Sequence, residues 1–295
     1  VANVEEELAK QGRRLPPKCV TPFSSNYAPW MEESPELKAD GVQRFQELIG
    51  QLRWAVEIGR VDILLETSFL SSYLAMPRAG HLEQALHIFG YLKTQPKRKL
   101  AFDPAHPSIN ENRFQKCDWT EFYRDASEAI PGNMPKPRGK GMSTHCFVDA
   151  NHAGDTETRR SQTGILLFCN RAPVIWFSKR QNSVEASTFG SEFTAMKNAI
   201  EMIEALRYKL RMFGVPIEGP TNIFCDNGAV CVNTTRPEST LTKKHHSIAY
   251  HRSREAVAAE TVRVSKEHTS TNLSDIFTKT MPAPKREKLL DSFTY

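Results

Sequence analysis

The sequence predicts an α/β domain with a mixed sheet, set behind a smaller helical region, and three observations predict it. Over residues 41–95, apolar residues recur at three- and four-residue steps, the period of amphipathic helices. From Ser143 onward, three short apolar or β-branched runs follow one another with turn residues between them, as in an antiparallel meander. Helical and strand-like runs then alternate, which calls for helices packed on a sheet that includes parallel strands.

Each element has its own justification. Residues 1–40 are rich in Pro, Ser and acidic residues and show no sustained periodicity, so they read as an extended linker. From Gly41 a stripe of Phe45, Leu48, Ile49, Leu52 and Val56 marks a helix. Helical runs follow over 61–75 and 80–95, the second with Leu82, Ala85, Ile88, Phe89 and Leu92 on one face. KRKLAFDP (97–104) reads as a strand. Prolines 107, 131, 135 and 137 interrupt the stretch 105–142, and PGNMPKPRGKGM (131–142) is the best domain boundary. Beyond it, THCFVDA, SQTGILLFCN and APVIWFSK form the meander. A helix from Ser187 to Phe213 is stopped by Gly214 and Pro216. TNIFCDN then reads as a buried strand, 240–259 as a helix, TVRVSKEH as a strand and NLSDIFTKTM as a short final helix.

Composition narrows the function classes. With 39% hydrophobic and 25% charged residues, the chain has the make-up of a soluble globular protein. No run of 18 apolar residues and no signal-peptide core is present, so an intracellular protein without a membrane partner is expected. The six cysteines lack C-x-x-C spacing and read as reduced thiols. The net charge of +5 is unevenly placed: Lys and Arg outnumber Asp and Glu by 19 to 18 over 1–140 and by 20 to 16 over 141–295. The excess occurs in clusters, among them Arg159-Arg160, Lys179-Arg180 and Lys243-Lys244-His245-His246. Such clusters are either phosphate contacts or solvated faces.

Four carboxylates are hard to explain as surface residues. Glu192 lies within about 40° of Met196, Ala199, Ile203, Leu206 and Leu210 on a helical wheel, in the middle of an apolar stripe. A carboxylate aimed at a core must be paired, coordinated or protonated; helix-dipole stabilisation accounts for its place along the helix but not for its face. Asp149 and Asp226 end short apolar strands, where ligands collect in open α/β sheets, although Asp226-Asn227-Gly228 is equally a turn or helix start. Asp275 sits just inside the last short helix, where a first-turn acid is favoured anyway. All four make sense together if they converge on hard cations such as Mg2+, two of which promote phosphodiester hydrolysis. Their spacings leave convergence to the fold.

At these residues the sequence resembles the ribonuclease H domain of copia-type LTR retrotransposon polyproteins. The likeness is carried, in order, by FVDANHAGDTETRRSQTGILLF, APVIWFSKRQNSVEASTFGSEFTAM, IFCDNGAV, KKHHSIAYHRSREAV and LSDIFTKTM, between about Ser143 and Pro282. FQELIGQLRWAVEIGRVDILLETSFLSSYLAMPRAGHLEQALHIFGYLKTQPKRKLAF is similar to the thumb and connection region of the same reverse transcriptases. The resemblance implies an RNase H-like mixed five-stranded sheet flanked by helices, preceded by a small, mainly helical thumb/connection subdomain. The implied divisions are 1–40 linker from a polymerase palm, 41–140 thumb/connection, 141–282 RNase H domain and 283–295 basic C-terminal tail.

The resemblance further implies hydrolysis of the RNA strand of RNA/DNA hybrids. The family's four catalytic, metal-binding acids map onto Asp149, Glu192, Asp226 and Asp275, with two Mg2+ ions as cofactors and Mn2+ as a substitute. His268, seven residues before Asp275 in a shorter loop than the relatives have, is read as either the counterpart of a product-release loop histidine or a solvent-exposed loop histidine. Arg159, Arg160, Lys179, Arg180, Lys243 and Lys244 are candidate nucleic-acid contacts, and His245, His246 and His251 are read as either phosphate contacts or surface histidines. Partners are the hybrid and the palm and fingers of the same polyprotein. No Asp-Asp dipeptide occurs, so a polymerase centre is absent from this segment. The first residue, Val, accordingly reads as a cut within a reverse transcriptase. The alternative is an inactive or domesticated remnant that binds nucleic acid, and Mg2+-dependent cleavage of a hybrid discriminates the two.

Overall fold

In the computed structural model, which describes residues 1–242 and 244–295, one sheet organises the C-terminal half. Its strands are β1 (Thr144–Asn151), β2 (Gln162–Cys169), β3 (Ala172–Arg180), β4 (Thr221–Cys225) and β5 (Val262–Lys266). The order is β3-β2-β1-β4-β5, with β1 to β3 antiparallel and β4 and β5 parallel to β1. This is the mixed five-stranded sheet flanked by helices that the sequence leads one to expect.

The N-terminal half holds α1 (Ala2–Lys10), α2 (Ala39–Glu57), α3 (Leu64–Ser71) and α4 (Ala79–Thr94). Residues 1–40, expected as an extended linker, are instead packed. Val4 and Leu8 of α1, then Leu15, Cys19 and Phe23, join Phe45, Leu48, Ile49, Ile88 and Phe89 in one core. Two apolar residues four apart are too few to register as a periodic stripe, but they suffice once a groove exists to receive them. Gly90 on α4 helps make that groove, because a Cβ there would lie 2.7 Å from the Pro16 carbonyl oxygen and 2.8 Å from Cys19 Sγ.

The sheet is covered on both faces, which is why every residue of β2 is buried. On one face α5 (Thr188–Met212) and α7 (Ser247–Ala258) pack through Phe193, Met196, Ala199, Ile203, Tyr250 and Ala256 against Cys146, Val148 and Ile165. On the other, Leu166 and Phe168 meet Ile276, Phe277 and the C-terminal segment. That segment corrects a second expectation. Residues 283–295 do not form a basic tail: α8 (Ala283–Leu290) buries Leu289 and Leu290, and Phe293 follows it into the core. The strand expected at 97–104 shrinks to a single antiparallel bridge, Leu100 to Thr294, since its partner is the last few residues of the chain.

The halves are tied directly. Trp176 of β3 donates its indole N–H to the Val56 carbonyl at 3.1 Å, and Ser68 donates to the Ser178 carbonyl at 2.9 Å. Between β4 and α7 lie α6 (Gly228–Thr235) and a 3₁₀ turn, Lys244–His246, so the helix expected over 240–259 starts later than predicted. The six cysteines are free thiols. Among the described residues, no helix is long and apolar enough to cross a membrane.

Candidate active site

Parallel pairing aligns two of the acids. Val148 of β1 is in register with Cys225 of β4, so the next residues, Asp149 and Asp226, emerge side by side at the carboxyl end of the pair. On its other side Asp149 is paired with Gly164 of β2. A Cβ at Gly164 would lie 2.6 Å from Thr278 Cγ2 and 2.8 Å from the Ser274 carbonyl oxygen, so the missing side chain admits the 3₁₀ turn Leu273–Phe277 that carries Asp275. Asn272 caps that turn and donates its side-chain amide to the Val148 carbonyl at 3.1 Å, which pins the turn to β1. The fourth acid arrives from α5. Ser187 caps this helix, and Gln181 at the end of β3 donates to the Ser191 carbonyl at 2.9 Å, fixing the turn that bears Glu192.

The result is convergence. Carboxylate oxygens of Asp149, Asp226 and Asp275 lie within 4.8 Å of one another, and the same limit encloses Glu192, Asp226 and the thiol of Cys225. Asp149 and Asp275 are fully buried and Glu192 is nearly so. Burial pushes the Asp149 carboxyl up to about 6, with Lys279 opposing the rise and Asp275 and Asp226 adding to it. Burial raises Glu192 well above the ordinary carboxylate range, and repulsion from Asp149 and Asp226 raises it further.

Two lysines that the sequence reading missed partly balance this charge. Lys279 Nζ sits 3.1 Å from both Asp149 and Asp275, and Lys285 Nζ lies 3.1 Å from Asp275. Burial opposes the Lys279 charge, but Asp149 and Asp275 more than reverse that and hold its ammonium protonated. The Thr278 hydroxyl donates to Asp149 Oδ2. Lys279 follows Asp275 by four residues, just beyond the 3₁₀ turn, a spacing visible in the sequence. Lys285 comes from α8, which local sequence links to nothing.

Two ammonium groups do not satisfy four carboxylates. Glu192 Oε2 is buried with no hydrogen-bond partner, so the cluster retains a donor oxygen for a hard cation. The donor set therefore fits Mg2+. Because a cation requires the ionised carboxylates, its affinity should rise with pH through about 6, the value to which Asp149 is raised. Calorimetric titration with Mg2+ at stepped pH checks this, with proton release on binding as the second readout.

The other candidates are dispersed. His268 is exposed in the loop after β5, its Nδ1 engaged with Ser270, and it does not belong to the acid group. Arg159 is exposed in a left-handed turn with φ of 57°. Arg180 is ion-paired at 2.9 Å with buried Asp155, whose carboxylate also holds the backbone N–H groups of Glu157 and Thr158, so it organises the turn after β1. Arg160, Lys179 and Arg180 share with Arg53 of α2 a groove of about 500 Å3 between β3 and the N-terminal helices. Lys244 is exposed, and Lys243 lies outside the described residues. His251 meets the Tyr123 hydroxyl at 2.7 Å, and His246 is buried.

No family model matches the chain. It is 25% identical over 235 residues to the retrovirus-related Pol polyprotein from transposon RE1 of Arabidopsis thaliana, covering 80% of this chain and 14% of that one. It is 26% identical over 244 residues to the corresponding polyprotein from transposon TNT 1-94 of Nicotiana tabacum, covering 82% and 16%. The chain is a homologue of copia-like retrotransposon Pol polyproteins. This Pol homologue spans about one seventh of the length of those curated relatives. Among solved structures it is similar to LC11-RNase H1 in complex with RNA/DNA hybrid, at 9% identity and a TM-score of 0.37, covering 46% of this chain and 94% of that one.

In this Pol homologue Gly164 should tolerate no side chain. Gly164→Val is expected to push the Asp275 turn off β1, costing about 1–3 kcal/mol of stability and weakening Mg2+ binding. Urea unfolding and metal titration of the variant check the two effects.

Proposed function

We propose that this Pol homologue is a ribonuclease H of a copia-like reverse transcriptase, hydrolysing the RNA strand of RNA/DNA hybrids with two Mg2+ ions, for which Mn2+ substitutes. The observation that carries the proposal is the convergence of Asp149, Glu192, Asp226 and Asp275 from four separate elements, with a donor oxygen of Glu192 left unpartnered. In this reading 141–282 is the nuclease, 41–140 the thumb/connection region, and the palm and fingers of the same polyprotein are its partners.

When bound, paired cations of this kind lower the pKa of an attacking water and stabilise the departing 3′ oxygen. The protein's own groups do the positioning. Asp149, central in the cluster, is oriented by Thr278; Asp275 is held to β1 by the cap of Asn272; Glu192 is held by the start of α5. Burial on both sheet faces keeps bulk water from these carboxylates, which strengthens their interaction with any cation they hold.

The groove holding Arg53, Arg160 and Lys179 supplies basic contacts for the hybrid backbone. Arg160→Ala with Lys179→Ala should weaken hybrid binding regardless of sequence and lower the salt slope by roughly 2, since each phosphate contact contributes about 0.9. Fluorescence anisotropy over a salt series measures this.

Incubating the chain with Mg2+ and an end-labelled hybrid tests the activity. The proposal requires cut RNA and intact DNA; a bound hybrid whose RNA stays whole favours the second reading, a nucleic-acid-binding remnant. One observation favours that alternative: Lys279 and Lys285 already place two ammonium groups against the acids.

A further inference from the structure

A second cluster of metal-ligating side chains lies away from the four acids. Glu185, in the loop between β3 and α5, meets His245 and His246 of the 3₁₀ turn before α7, and one ligand atom from each falls within 4.8 Å of the others. His246 Nδ1 is 3.5 Å from Glu185 Oε2. Two ligands of a tetrahedral ion with bonds near 2.0–2.1 Å sit about 3.3 Å apart, so this pair already has the necessary spacing.

The surroundings are built for it. The other carboxylate oxygen, Glu185 Oε1, accepts from the Ser183 hydroxyl at 2.9 Å and the Thr194 hydroxyl at 3.4 Å, which turns Oε2 toward the imidazoles. Gly190, in the first turn of α5, leaves the space that His246 fills. A Cβ there would lie 2.3 Å from His246 Cε1 and 2.8 Å from Glu185 Oε2. Phe189 packs edge-on against the His246 ring at 5.8 Å, and the His245 and His246 rings are 3.9 Å apart. His246 is buried and His245 exposed, so the cluster is anchored on one side and open to solvent on the other.

We propose that Glu185, His245 and His246 form a second metal site, suited to a borderline cation such as Zn2+ and separate from the acid cluster. Two imidazole nitrogens and one carboxylate oxygen are a zinc donor set, whereas the all-carboxylate site suits Mg2+. The fourth position remains for water or a ligand. A metal here ties the 3₁₀ turn before α7 to the loop 181–187, which leads into α5, the helix that carries Glu192. The site does not depend on the nuclease reading.

The test uses the whole chain in an Asp149→Asn background, which weakens the acid cluster as a competing zinc site. Zinc retained after gel filtration is measured by atomic absorption, and affinity by competition with a chromophoric chelator in excess Mg2+. The expected result is about one tightly held zinc per chain, and an affinity at least roughly tenfold weaker once Glu185→Gln and His245→Ala are added. Zn2+ should also raise the melting temperature of the parent and not that of the triple variant. His245 is exposed, so its loss leaves the core intact, and circular dichroism confirms folding. Absence of stoichiometric zinc in the parent, or equal affinity in the triple variant, overturns the proposal.

Discussion

Asp149→Asn is expected to reduce hybrid cleavage at saturating Mg2+ by about 10³-fold, because ligand charge at such a centre is worth several kcal/mol and each 1.4 kcal/mol is a factor of ten. The substitution keeps size and shape. The amide oxygen that replaces the carboxylate can still accept from Thr278, so the β1 backbone and the Asp275 turn should stay in place. What the change removes is one charge from a site where carboxylate oxygens of Asp149, Asp226 and Asp275 lie within 4.8 Å. Burial already raises Asp149 to about 6, so the neutral amide should be no less stable than the carboxylate in metal-free protein at neutral pH. Raised stability with lost activity would separate a catalytic acid from a structural one. The Mg2+-dependent rise in melting temperature should shrink as well. A variant that keeps a tenth of the parent's cleavage would exclude Asp149 as the central ligand.

The second large effect is on stability. Arg286 on α8 and Glu66 on α3 are both nearly inaccessible, and their side chains pair at 3.0 Å. Arg286 also donates to the Asp62 carbonyl. Burial raises the Glu66 carboxyl and Arg286 pulls it back down, so the guanidinium is what makes the buried charge tolerable. Arg286→Met should cost about 3–5 kcal/mol by leaving Glu66 buried and uncompensated. Adding Glu66→Met should recover most of that loss, since a well-packed apolar pair often equals a buried ion pair. Urea midpoints of the two single variants and the double variant close the cycle. Recovery in the double variant would show that the C-terminal helix holds the N-terminal helices through charge compensation rather than through a unique contact.

Several elements were legible from local pattern. The α2 stripe from Phe45 to Val56, the three-strand meander and the long helix through Glu192 all appear where periodicity placed them. Glu192 was legible for a related reason: a carboxylate on an apolar face conflicts with its surroundings, and that conflict is visible in one dimension. Segments whose partners lie far along the chain were not. Val4 and Leu8, Leu100 and Arg286 each look like ordinary loop or tail residues until α4, Thr294 and Glu66 are beside them. Candidate basic residues divided in the same way, because nothing near Arg180 in sequence indicates that Asp155 will claim its guanidinium.

Residue identity alone marked the candidate acids and placed most of the helices and strands of the C-terminal half, because burial preference and backbone period act over a few residues. Whether those acids meet was decided by tertiary structure. The parallel register of β1 and β4, the bare Cα of Gly164 and the Asn272 cap bring together residues separated by 43, 34 and 49 positions. Lys285 and the Glu185–His245–His246 cluster belong to the same class. Contacts between distant segments are set by packing of whole elements, and no local preference encodes them.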